Sequence, residues 1–176
     1  MAQNLGWDGG DGSLGVCYGN SSDTCLKYGR LYTWSQAAGL ADSCNGAVCA
    51  TQIAAVQQGV CPSGWHVPST TDWETLVNFA GGSQTPGTAL KATVDWIGAT
   101  GVDTYGFSGL PGGMIDQNGG APLYVGIVGY WWATTEFDVS SAYREGMYSA
   151  NSNLNSLVNE SPVTKSYGFS VRCIAN

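Results

Sequence analysis

The clearest hydrophobic pattern in the chain belongs to a predicted helix that ends at Gly81. Its apolar residues recur at the i, i+3, i+4, i+7 spacing that forms one face of an α-helix. Ser69 with Asp72, or Thr71 with Glu74, has the spacing of a capping box, which satisfies free backbone N–H groups at a helix start. The apolar positions are Trp73, Leu76, Val77 and Ala80.

Weaker patterns predict three further short helices. Thr33 can cap a helix over 35–41, because a hydroxyl before an Ala-rich run accepts from the first turn. Residues 47–58 carry apolar side chains at near-helical spacing and are followed by Gly59, so they predict a second helix. A third short helix is expected over 88–93.

Five stretches predict strands. Residues 61–68 lie between prolines, and 106–115 are interrupted by Pro and Gly, which indicates a bulged or edge strand. Residues 124–132 are apolar and aromatic, as in a buried strand, while 141–149 and 167–174 complete the set. The pattern therefore predicts both short helices and short strands along the chain.

The predicted strand over 141–149 has an uneven alternation. Arg144 and Tyr148 fall on one face, and Glu145 and Met147 on the other. If Met147 faces the core, Glu145 needs a partner there or the strand twists at its end, and Gly146 is a candidate bulge.

A polar segment, residues 136–161, interrupts the apolar pattern of the last quarter of the chain. Tyr gives a large contact area at low entropic cost, and Ser and Asn give adaptable hydrogen bonds, as in antibody recognition loops. The alternative is a long solvated hairpin loop, which favours Ser and Asn as well. We interpret the segment as a ligand-binding surface, formed by Glu136, Asp138, Ser140, Tyr143, Arg144, Tyr148, Asn151, Asn153, Asn155 and Asn159.

Charge limits the class of partner. The 176 residues carry a net charge of −7 with only six Lys plus Arg, so the surface repels phosphate backbones and nucleic acid is not expected as a partner. No apolar run reaches the roughly 18 residues of a membrane span, so membrane insertion is not expected either.

The six cysteines indicate disulfides and an extracellular setting. Zinc is less consistent with the sequence, because there is no Cys-x-x-Cys pair and only one His. Of the fifteen possible pairings we favour Cys17–Cys25 and Cys44–Cys49, each closing a local loop, and Cys61–Cys173, joining the middle of the chain to its end.

Candidate catalytic groups have simpler structural explanations. Cys61 and His66 could form a nucleophilic pair, but Cys61 is better used in a disulfide. Glu136 and Asp138 have the spacing of a glycosidase-like pair, yet they lie in the polar segment, where exposure is the default. No Gly-x-Ser-x-Gly elbow occurs. We therefore expect no enzyme activity and no cofactor.

A calcium loop at Asp8 and Asp11 is the one candidate metal site. It has few carboxylates and no bidentate Glu at a suitable distance, so a plain turn is the expectation and no metal is predicted. The first five residues lack the basic start and apolar run of a signal peptide. Export information was removed, or the protein leaves its cell by another route, such as in a virus particle.

Several motifs resemble one known family, and their order is kept over essentially the whole chain. The resemblance is to the Fibrobacter succinogenes major paralogous domain. The opening Met-Ala-Gln-Asn-Leu also matches this family. The motifs are Lys-Tyr-Gly-Arg-Leu-Tyr-Thr-Trp at 27–34, Cys-Pro-Ser-Gly-Trp-His-Val-Pro-Ser-x-x-Asp-Trp-x-x-Leu at 61–76, Tyr-Gly-Phe-Ser-Gly-Leu-Pro-Gly-Gly at 105–113, Tyr-Trp-Trp-Ala-Thr-Thr-Glu at 130–136 and Gly-Phe-Ser-Val-Arg-Cys at 168–173.

This resemblance implies an α+β, C-type lectin-like fold, in which two or more helices flank a central, twisted antiparallel sheet. Variable proteins of diversity-generating retroelements often use that fold and alter their C-terminal strands and loops at adenine-containing codons, which yields Asn, Tyr, Ser and Asp. The corresponding region here is 133–167. The Glu-Pro-Asn and Trp-Asn-Asp motifs of calcium-dependent lectins are absent, and the active-site cysteines of formylglycine-generating enzymes have no match, since Cys173 falls in the closing strand.

Together these observations predict one disulfide-stabilised C-type lectin-like domain over 1–176. Residues 44–60 are expected to be an insertion, and 133–167 a variable ligand-binding region. The expected function is recognition of a protein or glycan on a cell surface by an extracellular, surface-bound or virion-borne protein. Two rivals are a structural surface module without a tight ligand and a hydrolase that depends on His66 or on Glu136 and Asp138.

Overall fold

The computed structural model describes residues 3–81, 86–98, 101–149 and 162–176, and it is α+β, as the sequence predicts. The helices within these ranges are short, and several connections are made by single 3₁₀ turns. The α-helices are α1 (Ser22–Tyr28), α2 (Trp34–Ala38), α3 (Thr70–Phe79) and α4 (Pro86–Leu90), and the 3₁₀ turns are Tyr18–Asn20, Asp42–Asn45 and Ala50–Gln52.

Two small antiparallel sheets hold the described chain together. One has the order β2-β3-β4, and the other pairs β1 with β5. Isolated bridges, such as Tyr32 with Phe169, extend the pairing outside these strands. The strands are β1 (Trp65–His66), β2 (Val128–Glu136), β3 (Ser141–Tyr148), β4 (Val163–Thr164) and β5 (Ile174–Ala175).

The β2–β3 hairpin separates two hydrophobic cores, because both faces of β2 are apolar. Trp132 lies on one face, in the core that also contains Trp34 and Phe169. Trp131 lies on the other face and packs with Trp73. A strand buried on both faces reads as a continuous apolar run rather than an alternation. That is the composition of 128–134.

The buried indole N–H groups have hydrogen-bond acceptors, as burial requires. Trp132 Nε1 donates to the Tyr32 carbonyl at 2.7 Å, and Trp131 Nε1 donates to Asn4 Oδ1 at 2.8 Å. Asn4 Oδ1 also accepts from Arg172 Nε at 2.9 Å. These bonds tie β2 to the N-terminal residues and to the residue before Cys173.

Two predicted helix starts are confirmed. Thr33 caps α2 with Gln36 as its reciprocal partner, and Ser69 caps α3 with Asp72. Of the two capping boxes that the sequence allows for α3, the structure uses the first. Trp73 is the buried residue of this helix, and it fixes α3 against β2.

The helix predicted over 47–58 is wrong, since only the 3₁₀ turn Ala50–Gln52 forms there. Tertiary hydrogen bonds replace the helical ones. The backbone N–H groups of Cys49 and Ala50 donate to the Glu136 carboxylate, and Gln57 Nε2 donates to the Ala38 carbonyl at 2.7 Å. This segment is therefore tied to β2 and to the end of α2 as well as closed on itself by the Cys44–Cys49 disulfide.

Other predicted elements are shifted. The helix expected over 88–93 is α4, which ends at Leu90. The strand expected over 124–132 begins at Val128 and continues to Glu136. The strand expected over 106–115, which contains Pro and several Gly, forms isolated bridges. The strand expected over 167–174 also forms isolated bridges, followed by the short β5.

The irregularity expected at Gly146 lies instead in β2. The pairing shifts between Trp132 and Glu136, while Gly146 pairs in register with Tyr130. Glycine is needed there for another reason: a Cβ at Gly146 would lie 2.7 Å from the Tyr130 ring. The ring covers the glycine across the strand pair, which fills the space that a side chain would take.

The predicted disulfide pairing is the one in the structure. Cys17–Cys25 and Cys44–Cys49 close local loops, and Cys61–Cys173 spans 112 residues. Disulfides of this kind form in oxidising compartments. Among the described ranges, no helix has the length and apolarity needed to cross a membrane.

Candidate functional site

The base of the polar segment is closed by a buried ion pair. Glu136 is the last residue of β2, and Lys165 directly follows β4. Their Oε1 and Nζ atoms lie 2.5 Å apart, and the two side chains are 3% and 0% exposed. The pair therefore joins the first residue of the segment, inside the protein, to a residue that follows shortly after the segment ends.

Further hydrogen bonds surround this pair, as a buried charge requires. The Glu136 carboxylate accepts from the N–H groups of Cys49 at 2.9 Å and Ala50 at 2.6 Å. Lys165 Nζ donates to the carbonyls of Ala47 at 2.9 Å and Val139 at 3.1 Å. Burial opposes ionisation of Glu136, but the hydrogen bonds from Lys165 and the two N–H groups outweigh it and lower the pKa.

Lys165 was not among the predicted site residues. The only sequence signal for it is indirect. A carboxylate at the end of a buried strand needs a cation, and the chain has only six Lys plus Arg to supply one. Its ammonium also lies 4.7 Å from the centre of the Trp34 ring, so the aromatic core contributes to holding it.

The tip of the β2–β3 hairpin is the most exposed part of the described surface in this region. Asp138 Oδ1 accepts from the Ser140 N–H at 2.9 Å, and this bond is the main reason that the pKa of Asp138 is lowered. Phe137 and Val139 are 55% and 48% exposed, so the tip presents apolar as well as polar groups. Phe137 and Val139 are not among the predicted surface residues, because each is a single apolar residue in a polar stretch.

One face of β3 carries Arg144 and Tyr148. The Arg144 guanidinium lies 3.8 Å from the centre of the Tyr130 ring, and the Tyr130 hydroxyl donates to the Tyr148 hydroxyl at 3.0 Å. Tyr130 also packs against Phe169, with ring centres 5.1 Å apart. The half-buried Arg144 and Tyr148 thus stand on an aromatic layer that continues into the core.

Tyr143 lies on the opposite face of β3. Its ring meets Phe137 edge to face, with centres 5.7 Å apart. The structure therefore brings Tyr143 together with the hairpin tip, and brings Arg144 together with Tyr148, but separates these two groups by the thickness of the strand.

Glu145 shares the face of Tyr143 and is 2% exposed. Within the described ranges its Oε2 has no hydrogen-bond partner. Burial raises its pKa to about 7, the charge of Glu74 adds to the rise, and Arg144 opposes it. No described residue forms an ion pair with Glu145 on this face of β3. The protonated carboxyl is therefore the form of Glu145 that fits its apolar surroundings.

The predicted surface residues fall into four groups. Asp138 and Ser140 are exposed at the tip, and Tyr143, Arg144 and Tyr148 are half-buried on β3. The Glu136 side chain points inward and forms an ion pair with Lys165. The remaining predicted residues lie outside the described ranges, and they are Asn151, Asn153, Asn155 and Asn159.

The candidate catalytic groups have structural partners. Cys61 is bonded to Cys173, so it cannot serve as a thiol nucleophile for His66. His66 Nδ1 shares a hydrogen bond of 2.8 Å with Asn176 Oδ1, and its Nε2 lies 3.7 Å from Asp72 Oδ2.

Asp8 and Asp11 close their own turns. Asp8 Oδ1 accepts from the Gly10 N–H, and Asp11 Oδ1 accepts from the Ser13 N–H, each at 2.9 Å. Across 3–81, 86–98, 101–149 and 162–176, no group of three or more His, Cys, Asp or Glu side chains has the arrangement of a metal site.

Comparison with known proteins identifies one family. No curated protein and no solved structure matches the chain. The Fibrobacter succinogenes major domain matches residues 13–175, which include all three disulfides, the β2–β3 hairpin and Lys165. The chain therefore belongs to the Fibrobacter succinogenes major domain family.

Proposed function

We propose that this protein is a recognition domain that binds a protein or glycan on a cell surface through its polar segment. The observation that carries this proposal is the buried Glu136–Lys165 pair, which links the start of the segment to the chain just after it. A segment whose ends are fixed in this way can display many side chains without rearranging the core beneath it.

The composition of the displayed surface supports binding rather than catalysis. It combines Tyr, Ser and Asn with exposed apolar groups at the hairpin tip. Aromatic side chains give most of the binding energy in protein interfaces, and adaptable hydroxyl and amide groups surround them. Among the described residues, the candidate catalytic side chains already have disulfide, ion-pair or hydrogen-bond partners, and none of them is arranged as a nucleophile beside its base. These side chains are Cys61, His66, Glu136 and Asp138.

We further propose that the fold is C-type lectin-like and that the polar segment is the variable region of a diversity-generating retroelement protein, over about 133–167. The three disulfides favour an extracellular, surface or virion location. In this proposal the disulfides preserve the frame. Glu136 and Lys165 lie within 133–167 but stay constant as a pair, while the displayed residues around them change.

A binding screen of the purified protein against a panel of cells and a glycan array tests the proposal. Saturable binding to one cell type or glycan supports a recognition domain. Absence of binding in both screens supports a structural surface module. Turnover of a hydrolase substrate that is lost in His66→Ala or Asp138→Ala supports the hydrolase instead.

The surrounding DNA tests the diversification proposal separately. We expect a reverse transcriptase gene and a near-copy repeat that matches codons 133–173 and differs at adenines. A neighbourhood without either would contradict diversification but would leave the binding proposal to the screen.

A further inference from the structure

A concave surface lies away from the polar segment. It is a groove of about 530 Å³ between the N-terminal residues, the end of α2 and the loop before β1. None of the lining residues is charged. They are Leu5, Trp7, Leu14, Gln36, Gly39, Gln58, Gly59, Val60, Cys61 and Pro62.

Close backbone packing builds this groove. A Cβ at Gly39 would lie 3.0 Å from the Gly59 Cα, and a Cβ at Gly59 would lie 2.2 Å from the Ala37 carbonyl oxygen. Both glycines have positive φ, which larger residues rarely adopt. The Val60 N–H donates to the Ala37 carbonyl at 3.0 Å, and Cys61 next to it is fixed by its disulfide. The groove walls are thus held in place without a ligand.

Trp7 forms one side of the groove and is 51% exposed. Its backbone is held by the Tyr32 hydroxyl, which donates to the Trp7 carbonyl at 2.6 Å. Its ring lies against Gly10, where a Cβ would come within 3.5 Å of the indole. An indole in a neutral groove offers a flat apolar face to a ligand, and its position is set by the protein.

The carboxamides of Gln36 and Gln58 also line the groove, and in each of them one of the two polar atoms already forms a hydrogen bond. Gln36 Oε1 accepts from the Thr33 N–H at 3.1 Å, and Gln58 Nε2 donates to the Cys61 carbonyl at 3.1 Å. Within the described ranges, no hydrogen bond is recorded for Gln36 Nε2 or Gln58 Oε1. The residues that line the groove therefore include an amide donor on Gln36, an amide acceptor on Gln58 and the indole of Trp7.

We propose that this groove binds a neutral hexose unit of a glycan. The C–H face of a pyranose ring packs on a flat indole, and neighbouring hydroxyls both donate and accept hydrogen bonds. Those are the two kinds of contact that Trp7, Gln36 and Gln58 provide. The uncharged lining favours a neutral sugar over an acidic one, since a buried unpaired charge is costly. A proline-rich peptide fits less well, because such peptides dock between several aromatic rings and the groove has one.

An array of neutral and acidic glycans, followed by titration of the best neutral glycan, tests this site. We expect saturable binding that shifts the Trp7 indole N–H signal in a ¹H–¹⁵N spectrum. Trp7→Ala should weaken binding about tenfold or more, whereas Trp7→Tyr should retain part of it. Gln58→Ala should weaken binding by a smaller factor.

Controls separate this groove from the polar segment. Phe79→Ala removes an aromatic ring from α3 that is even more exposed, at 69%, and should leave the affinity unchanged. Loss of the neutral-glycan binding in the double variant Asp138→Ala/Tyr143→Ala, together with unchanged binding in Trp7→Ala, would locate the glycan on the hairpin instead of in the groove. No binding to any neutral glycan, equal affinity in Trp7→Ala, a preference for acidic glycans, or displacement of the glycan by a proline-rich peptide would each overturn the proposal.

Discussion

Glu136 Oε1 and Lys165 Nζ lie 2.5 Å apart at the point where the polar segment leaves and re-enters the folded frame. Between these residues the chain forms the hairpin turn, β3 and β4, and it passes through 150–161, outside the described ranges. The same pair also binds the backbone of the 47–50 stretch. One buried contact thus connects the polar segment, the Cys44–Cys49 loop and the β2-β3-β4 sheet.

Breaking this pair on one side should strongly destabilise the protein. Glu136→Gln leaves the Lys165 charge buried without its partner, and Lys165→Met leaves the carboxylate in the same position. We expect each variant to lower the free energy of unfolding by about 3–5 kcal/mol. Urea denaturation followed by circular dichroism measures this change.

The double variant Glu136→Gln/Lys165→Met is the matched control. It removes both charges, so its loss should be smaller than the sum of the two single losses. Additive effects, or single losses below about 1 kcal/mol, would show that the pair does not hold the segment.

Glu145 should make stability depend on pH between about 4.5 and 7. Its folded-state pKa is about 7, above the ordinary 4.5, so the native state keeps a proton that the unfolded chain releases. Stability from this residue is fully present below pH 4.5 and decreases as the pH rises to 7. The loss amounts to about 3 kcal/mol by the linkage relation.

Glu145→Gln tests this directly, because the amide stays neutral at every pH. Urea denaturation from pH 4 to pH 8 should give a flatter profile for the variant, and the variant should be the more stable protein at pH 8. The Glu136 carboxylate behaves oppositely, since its lowered pKa costs stability only as the pH falls below 4.5. Parallel profiles for the wild type and Glu145→Gln would contradict the assignment.

The long disulfide should matter more than a local one. Removing Cys61–Cys173 by paired Ala substitutions frees a loop of 112 residues, for which the loop-closure relation gives about 5 kcal/mol. Removing Cys44–Cys49 frees a separation of 5 residues and should cost about 2 kcal/mol. Thermal unfolding of the two variants in parallel measures the difference. A larger loss from the local disulfide would contradict the entropic explanation.

Gly146 should tolerate no side chain. In Gly146→Ala the new Cβ would lie 2.7 Å from the Tyr130 ring, which must move away from Arg144 and Phe169. We expect a loss of about 1–3 kcal/mol in the free energy of unfolding. Gly46→Ala is the control, because Gly46 is exposed, has open space around it and has a negative φ that alanine also adopts. Equal losses in both variants would show that the Tyr130 contact is unimportant.

Sequence patterns predicted the parts of this fold that local interactions determine. The caps at Thr33 and Ser69 depend on residues three positions apart, and the structure has both. The short disulfides likewise join cysteines that are near in sequence. Each of these features is decided within a few residues, so its signal is visible without the rest of the chain.

Features decided by distant residues could not be predicted in this way. Residues 47–58 have the composition of a helix, but the Glu136 carboxylate binds their N–H groups from 87 residues away. Lys165 is buried because Glu136 is, and neither fact follows from its neighbours in sequence. For the candidate surface, the sequence identified the segment, but only the sheet geometry separates Tyr143 from Arg144 and turns Glu136 inward.

The most direct test of a recognition surface on this frame compares binding and stability in one triple variant. Asp138→Ala/Tyr143→Ala/Asn153→Ala removes three polar or aromatic side chains from the segment and leaves Glu136 and Lys165 intact. The control is Asp23→Ala/Asn78→Ala/Tyr105→Ala, which removes three exposed groups elsewhere. Both are tested for their melting temperature and for binding to a cell or glycan from the screen whose affinity is unchanged in Trp7→Ala, so that a ligand of the groove is not used.

The account predicts that the segment variant loses binding while its melting temperature stays near that of the wild type, and that the control keeps both. Full binding by the segment variant would contradict a recognition surface at this position.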